Sequence, residues 1–370
     1  MLCNNILNQI NGHLWSTGRV HYVLALLLFG GDFLTDKPFK TIKQQLEILE
    51  KERHLTILDP EQAERVLRRY GYYEIINGYK TPFLIEPGND EKGYKTDATF
   101  EHIYALYTLD RQIRETILQG IEQFEQTFKQ TLAYVIAEEI SDDETRYTAK
   151  SHYNKGESHH YNGQTSTDRD RLLKRFNKLL RSSNQPFSHY ATAHHNIPPW
   201  IMIKGLTFGE SIYWFKLSKK TIREKIVAKM FGFDPAVLDQ IDSILKIKQA
   251  FGDILSLCLD YRNLTAHGGR IYNHRSSKFA LKWSPFIYRK NVIDISHKQF
   301  SHKKMRSSIG ALIKVLHLFE NRDPHSTITI WLSIRFESHL KKYPMDKEML
   351  EESTELNFNE DLPKLQDYKF

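Results

Sequence analysis

Apolar residues recur at helical spacing along most of the chain. Between residues 99 and 137 they occupy ten positions separated by steps of three and four: 103, 106, 109, 113, 117, 121, 124, 128, 132 and 135. A strand alternates with a period of two, so this spacing predicts one long amphipathic helix with a buried face. We expect its charged residues to cover the other faces; they include Arg111, Arg114, Glu122, Glu125 and Lys129.

Residues that typically begin or end helices predict further helices. Asp59, Pro60 and Glu61 are typical of a helix start, and Gly71 ends that helix. Other helical patterns cover 168–181, 212–217, 222–230 and a single stretch from about 238 to 259. The sequence contains no series of alternating strands, no internal repeat and no glycine-rich phosphate loop. It therefore predicts an all-α fold, a helical bundle with accessory helices.

The pattern also divides the chain. A helical domain is predicted over 37–345, interrupted at about 141–199 by a polar, histidine-rich insertion. Residues 1–36 form an N-terminal extension whose apolar run, 20–29, is too short for a membrane span of about 20 residues. Export is the alternative because Arg19 precedes the run, although no A-x-A cleavage pattern follows it. Residues 346–370 form an acidic tail that we expect to be solvated and partly disordered.

Charge and cysteines narrow the class of protein. The chain has 52 Lys and Arg against 45 Asp and Glu, a formal charge of +7. The extension carries −1 and the tail −5, so the body carries +13 and favours an RNA partner. The two cysteines, Cys3 and Cys258, form neither a disulfide framework nor a metal cluster, which indicates a reduced cytoplasm. The shortness of the apolar run at 20–29 indicates no membrane association.

The helix at 168–181 is the strongest candidate for phosphate contacts. Its basic residues surround an apolar face, and the alternative is that they form the solvated face of a packed helix. The candidate RNA contacts are Arg171, Lys174, Arg175, Lys178 and Arg181. The insertion holds six histidines, but it lacks cysteine and an H-E-x-x-H pattern, so we expect neither a metal site nor a cofactor.

The segment DYRNLTAHGGRIYN (260–273) is the candidate site of chemistry. It places Arg262, Asn263 and His267 immediately before Gly268 and Gly269, a helix-stop signal. Asn263 and His267 share a helical face, whereas Arg262 and His267 lie about 140° apart around the axis. Two arrangements could bring Arg262 and His267 to one atom: a loosened final turn, or two copies of the motif facing each other in a dimer.

These residue types suit RNA cleavage without a metal. An arginine fork can bind the scissile phosphate, and RNA supplies its own nucleophile in the 2′-hydroxyl. A helix C-terminus favours a protonated imidazole, which indicates that His267 is the general acid. The alternative is that His267 only caps the helix.

Five segments together resemble a known family. Arg262-x4-His267, with Asn263 after the arginine, resembles the R-x4–6-H motif of HEPN-superfamily ribonucleases. Segments similar to the AbiD/AbiF branch of the Abi-like (abortive infection) proteins are KPFKTIKQQLEILEKERHLTI (37–57), YYEIINGYKTPF (72–83), ATFEHIYALYTLDRQIRETILQGIE (98–122), PPWIMIKGLTFGES (198–211) and YRNLTAHGGRIYN (261–273). They follow the family's order. Lys204 stands where the family usually has an acidic residue, and Gly268 replaces a frequent second histidine.

The resemblance implies a HEPN-like all-α fold, a homodimer with juxtaposed motifs, and metal-independent endoribonuclease action in phage defence. Arg262 and His267 would be catalytic and Asn263 supporting. It further implies a toxin–antitoxin-like system, with an antitoxin protein or a small structured RNA as partner. The alternative function is a non-catalytic protein that binds RNA or another partner, in which the motif stabilises the dimer interface.

Overall fold

The chain is predominantly helical in the part that the computed structural model describes, residues 38–161 and 163–364. The α-helices are α1 (Ile42–Glu47), α2 (Pro60–Tyr70), α3 (Phe100–Glu139), α4 (Glu144–Tyr147), α5 (Asp168–Leu180), α6 (Phe187–His189), α7 (Pro199–Met202), α8 (Phe208–Leu217), α9 (Lys220–Phe231), α10 (Pro235–Leu245), α11 (Ile247–Ala266), α12 (His297–Ser301), α13 (Ile309–Leu316), α14 (Asp323–Lys342), α15 (Lys347–Thr354) and α16 (Phe358–Asp361). Strands β1 (Ser158–Tyr161) and β2 (Gln164–Thr167) form a single antiparallel hairpin. The predicted all-α fold is confirmed.

Short turns of other helical types connect these elements. The π-helical turns are Ile48–Glu52, Tyr73–Asn77 and Tyr190–His194, and the 3₁₀ turns are Thr81–Phe83, Asp90–Lys92, Lys150–His152, Ile203–Gly205 and Pro344–Asp346.

The long helix α3 lies at the centre of the fold. It begins after Thr99, whose side-chain oxygen accepts a hydrogen bond from the His102 N–H at 3.1 Å. It runs for 40 residues, and all ten positions of its predicted apolar face are buried. Helices α9, α11 and α14 pack along α3. The prediction of one long helix with a buried face is confirmed.

The predicted bounds of the helix after Asp59 are also confirmed. The Asp59 carboxylate accepts a hydrogen bond from the Gln62 N–H at 2.9 Å, and Pro60 occupies the first position of α2. Gly71 ends the helix with a φ of +85°. A capping oxygen, a proline and a glycine are local signals, which is why the sequence alone locates both ends.

The prediction of one helix from about 238 to 259 is wrong. Lys246 adopts a left-handed conformation, with φ of 56° and ψ of 44°, and separates α10 from α11. The Asp242 carboxylate accepts a hydrogen bond from the Lys248 N–H at 2.8 Å and so satisfies a donor in the first turn of α11. Glycine or asparagine usually marks such a break, and a lysine gives no signal.

The polar insertion is packed against the rest of the fold. β2 leads directly into α5, where Thr167 and Asp170 form a reciprocal capping box. On the inner face of α5, Phe176 is fully buried with its ring edge towards Trp214 at 4.8 Å. The helix predicted over 168–181 is confirmed as α5.

The acidic tail differs from its prediction as a solvated, partly disordered segment. Over the described part of that range, the structure has α15 and α16. Leu350, Leu356 and Leu362 are buried, and Asp361 pairs with Lys314 Nζ at 2.7 Å. Three leucines at intervals of six residues anchor the segment, although its net charge is typical of a solvated tail.

The N-terminal extension, 1–36, including its apolar run, lies outside the described residues. Within the part of the chain that the structure describes, no helix combines the length and apolar character needed to cross a membrane.

The crossing of α3 and α14 depends on Gly120. A Cβ at this position would lie 2.3 Å from Ile328 Cγ1 and 3.0 Å from the Pro324 carbonyl oxygen. We therefore expect Gly120→Ala to lower the free energy of unfolding by about 1–3 kcal/mol, because overpacking forces the helices apart. Urea denaturation followed by circular dichroism measures the change.

The control is Gly252→Ala in α11, where an added Cβ meets no atom within 4 Å. Because alanine favours a helix over glycine, this variant should be unchanged or up to about 1 kcal/mol more stable. Equal effects of the two substitutions would show that the crossing has room for a methyl group.

Candidate functional site

The helix that carries the motif, α11, ends at two glycines. Gly268 has a φ of +75°, a conformation that favours glycine, and its N–H donates to the Thr265 carbonyl at 3.2 Å. The Gly269 N–H donates to the Leu264 carbonyl at 2.9 Å, which completes a Schellman motif. A Cβ on Gly269 would lie 2.2 Å from Leu264 Cδ1. The predicted helix stop is confirmed, and His267 is the C-cap residue.

The three motif side chains are distributed around the last turns of α11. Asn263 and His267 are exposed, whereas Arg262 is half-buried, with 38% of its side chain exposed. The helix is continuous to Ala266, and the His267 N–H donates to the Asn263 carbonyl at 3.1 Å. The final turn therefore does not loosen, and Arg262 and His267 remain about 140° apart around the axis. Of the two arrangements left open by the sequence, the loosened turn is not found.

The functional groups of Arg262 and His267 make no hydrogen bonds to the residues that the structure describes. Two neighbouring charged side chains do form hydrogen bonds. Arg114 donates to the Gly268 carbonyl, and His274 Nε2 lies 2.8 Å from Asp260 Oδ2. A capping histidine would bond a terminal carbonyl through its imidazole. The Arg262 Nη groups and the His267 imidazole are therefore open to a ligand, whereas Arg262 Nε is buried without a hydrogen-bond partner among the described residues.

Glu125 and Lys129 of α3 position Arg262. Arg262 Nε lies 3.9 Å from Glu125 Oε2, and Glu125 Oε1 lies 2.6 Å from Lys129 Nζ. The same ammonium group donates to the Leu206 carbonyl at 2.7 Å. Opposite charges at this distance attract, and Glu125 is only 14% exposed, so solvent weakens the attraction little. The guanidinium is drawn towards α3 by charge without a direct hydrogen bond.

Asp110 of α3 holds the loop that follows the motif. Its carboxylate, which is fully buried, accepts hydrogen bonds from the Ile271 N–H at 3.0 Å, the Tyr272 N–H at 2.7 Å and the Tyr79 hydroxyl at 2.7 Å. Burial raises the pKa of Asp110, and these hydrogen bonds and the nearby Arg114 guanidinium oppose that rise.

Arg114 holds the glycines themselves. Its guanidinium donates from Nη1 to the Gly268 carbonyl at 2.8 Å and to the Gly269 carbonyl at 3.1 Å. Arg114 and Asp110 therefore connect the end of α11 to the middle of α3 at adjacent points.

Sequence reasoning did not identify these supporting residues. It predicted only that Arg114, Glu125 and Lys129 cover the faces of the long helix away from its apolar stripe, and the structure shows that they are half-buried. The available signal was the pairing of opposite charges at a spacing of four, Asp110 with Arg114 and Glu125 with Lys129, beside an apolar stripe. Arg111 and Glu122, on the same predicted faces, are exposed.

The basic helix α5 presents most of its candidate RNA contacts to solvent. Arg171, Lys174, Lys178 and Arg181 are exposed. Arg175 differs from them, because its Nε lies 2.9 Å from Glu210 Oε1 and its Nη2 donates to the Gly205 carbonyl at 2.5 Å.

One loop connects α5 with the surroundings of Arg262. The Gly205 carbonyl accepts from Arg175 of α5, and the neighbouring Leu206 carbonyl accepts from Lys129 of α3. Lys204, exposed in the same loop, adds a positive charge. The basic face and the motif are therefore linked through a single short segment.

Comparison with known proteins gives one match. The family model described as "Abi-like protein" matches residues 65–273, just over half of the chain. The matched range includes α3, α5 and the whole motif. Neither the curated proteins nor the solved structures contain a match.

We expect Asp110→Ala to loosen the loop after the motif. The substitution leaves two buried N–H groups and the Tyr79 hydroxyl without an acceptor, so the free energy of unfolding should fall by about 3–5 kcal/mol. Hydrogen exchange at the Ile271 and Tyr272 amides should accelerate under native conditions. Tyr79→Phe, which removes one of the three hydrogen bonds, is the matched control and should cost about 1 kcal/mol. Unchanged exchange in Asp110→Ala would contradict the anchoring role.

Proposed function

The chain belongs to the Abi-like protein family, and we propose that this abortive-infection protein is a metal-independent endoribonuclease of the HEPN type. The proposal rests on the position and the hydrogen bonding of Arg262 and His267. Arg262 and His267 lie at the end of a rigidly anchored helix with functional groups that make no hydrogen bonds to the described residues. A purely capping role for His267 would require its imidazole to bond a terminal carbonyl of α11, and the described residues include no such bond.

The proposed reaction uses the chemistry of RNA itself. The Arg262 guanidinium binds the scissile phosphate and stabilises the negative charge that develops on its oxygens. The 2′-oxygen forms a bond to phosphorus, the bond from phosphorus to the 5′-oxygen breaks, and the 2′-hydroxyl proton passes to solvent. Protonated His267 donates a proton to the leaving 5′-oxygen. The products are a 2′,3′-cyclic phosphate and a 5′-hydroxyl.

Helix geometry supports a composite site in a homodimer. The continuous α11 keeps Arg262 and His267 about 140° apart within one chain, so a single copy does not aim both at one phosphate. Two copies related by a twofold axis bring Arg262 of one subunit opposite His267 of the partner subunit. Asn263, one residue from Arg262 and exposed, supplies a polar contact at the same surface.

The charge distribution supports RNA as the substrate. The body of the chain carries +13, and the exposed side chains of Arg171, Lys174, Lys178 and Arg181 extend positive charge away from the motif. We place the activity in the cytoplasm, restrained at rest by an antitoxin protein or a small structured RNA. Its release during phage infection would stop growth by RNA cleavage.

The proposal predicts that single changes to the motif abolish cleavage. Arg262→Ala and His267→Ala should each lower the rate by at least about 100-fold with EDTA present, because each removes one catalytic contribution. Incubation of RNA with the purified full chain, followed by analysis of the product ends, measures both rate and mechanism. Arg65→Ala and His160→Ala, which change exposed residues of α2 and β1, are the matched controls and should cleave normally.

Mixing the two inactive variants tests the composite site. Half of the dimers would be mixed and one of the two sites in each would be intact, so about a quarter of the activity should return. No recovery would contradict the composite arrangement. Equal RNA decay in all variants, or products with 3′-hydroxyl ends, would contradict the cleavage mechanism itself.

The second candidate function is non-catalytic binding of RNA or another partner, favoured by the exposed basic face of α5.

If α5 contacts RNA, charge reversal by Arg171→Glu, Lys174→Glu and Lys178→Glu should weaken RNA binding and make it less dependent on salt. The proposed endoribonuclease predicts this result. Reversal of Arg65, Arg68 and Arg69, exposed on α2, is the matched control. Filter binding at two salt concentrations measures the effect. If the α5 variant loses biological activity while Arg262→Ala and His267→Ala keep it, binding is the function.

A further inference from the structure

A second group of chemically active side chains lies in the interior, away from the motif. His102 comes from the first turn of α3, His339 from the last turn of α14, and Asp346 from the 3₁₀ turn Pro344–Asp346. His102 Nε2 lies 2.8 Å from Asp346 Oδ2, and His339 Nε2 lies 2.7 Å from the same oxygen. None of the three side chains is more than 9% exposed.

Aromatic packing sets the direction of the His102 imidazole. Its ring stacks on Tyr343 with centroids 3.9 Å apart, and the edge of Phe83 lies 4.7 Å away. The Tyr343 backbone accepts a hydrogen bond from the Asp346 N–H at 3.1 Å and donates to the His339 carbonyl at 2.9 Å. Tyr343 therefore contacts all three members of the group. The packing of Tyr343 and Phe83 around the group holds the two imidazole nitrogens and the Asp346 oxygen close together.

The donor set matches one class of ligand. A buried carboxylate is costly unless a positive charge lies beside it, and a divalent cation supplies that charge. Two imidazole nitrogens and one carboxylate oxygen are typical of Zn²⁺, whereas Ca²⁺ and Mg²⁺ prefer oxygen ligands. Ligands in a tetrahedral zinc site with bonds of about 2.1 Å lie about 3.4 Å apart, so each of the two nitrogen–oxygen distances needs to lengthen by about 0.6 Å. All three atoms already lie within 4.8 Å of one another.

The structure also offers a path for the ion. A cavity of about 350 Å³ opens beside the group and is lined by His339, Tyr343 and Glu101 among others. Of the three side chains only His339 lines this cavity, so solvent and the ion would approach the group from the His339 side.

We propose that His102, His339 and Asp346 bind one Zn²⁺ ion that ties the C-terminal helices to the beginning of α3. His339 and Asp346 lie beyond the matched family range, and the ion links them to a residue within it. The site contributes to stability, and it shares no residue with the motif. It therefore stands apart from the proposed RNA chemistry.

A second cluster provides a matched comparison. Glu157, His159 and Asp168 also bring carboxylates and an imidazole together, with His159 Nε2 2.7 Å from Asp168 Oδ1. This group has one imidazole, His159 is 30% exposed, and Asp168 already accepts the Glu157 N–H at 2.8 Å. Asp168 is thus used as a hydrogen-bond acceptor for the hairpin, and this cluster serves as the control.

The experiment is a zinc titration of the full chain, purified without a histidine tag and stripped by a chelator. We expect one equivalent of Zn²⁺ per chain and a higher melting temperature when it binds. His339→Gln and Asp346→Asn should weaken Zn²⁺ binding at least about tenfold, because each removes one of three ligands. His159→Gln should leave the stoichiometry unchanged.

Replacing Zn²⁺ with Co²⁺ in the wild-type chain keeps the test valid if the variants fail to fold. Visible absorption bands of tetrahedral Co²⁺ would support the site, and their absence would overturn it. Wild-type protein that binds no stoichiometric zinc, or folded His339→Gln that binds zinc as wild type does, would also overturn the proposal. The titration uses no RNA, so its failure and a failure of the cleavage assay are distinguishable.

Discussion

The burial of one face of α3 is the constraint on which the rest of the structure depends. Helix α3 runs for 40 residues, and the fully buried leucine, isoleucine and phenylalanine side chains of that face each contribute about 1.5–3 kcal/mol when removed from water. Helices α9, α11 and α14 cover it. Polar groups at the edge of the same face are buried when that face packs, and each then needs a hydrogen-bond or charge partner. Asp110, Glu125 and His102 are such groups, and their partners are the motif loop, Arg262 and the C-terminal segment.

At the candidate site, hydrogen bonds anchor the loop after α11, whereas the Arg262 and His267 side chains make none to the described residues. The glycines after α11 are fixed from both sides, by Arg114 through their carbonyls and by Asp110 through the next two amides. Arg262 and His267 lie at the end of α11, just before these supports, and their side chains make no hydrogen bond to the described residues. A scaffold of this kind holds catalytic groups precisely enough for chemistry without consuming their hydrogen bonds. In the proposed composite site a single subunit is inactive, so control of assembly would also control activity.

Local signals in the sequence predicted much of the fold. The spacing of ten apolar residues located α3, Asp59 with Pro60 and Gly71 located α2, and Gly268 with Gly269 located the end of α11. Predictions were wrong where the local signal was absent or pointed elsewhere. Lys246 breaks a helix in a conformation that lysine rarely adopts, and the tail is anchored by three leucines although its charge is typical of a solvated segment.

The sequence by itself determined α2, α3, α5 and the end of α11, and it placed Arg262, Asn263 and His267 together near that end, because caps, periodicity and glycine stops act over a few residues. Tertiary structure alone decided what supports them. Asp110 meets Ile271 across 161 residues, and His102 meets Asp346 across 244. Such pairs are chosen when whole apolar faces pack together, since the packing fixes which polar groups at the margins come within reach. No rule that compares near neighbours along the chain contains that information.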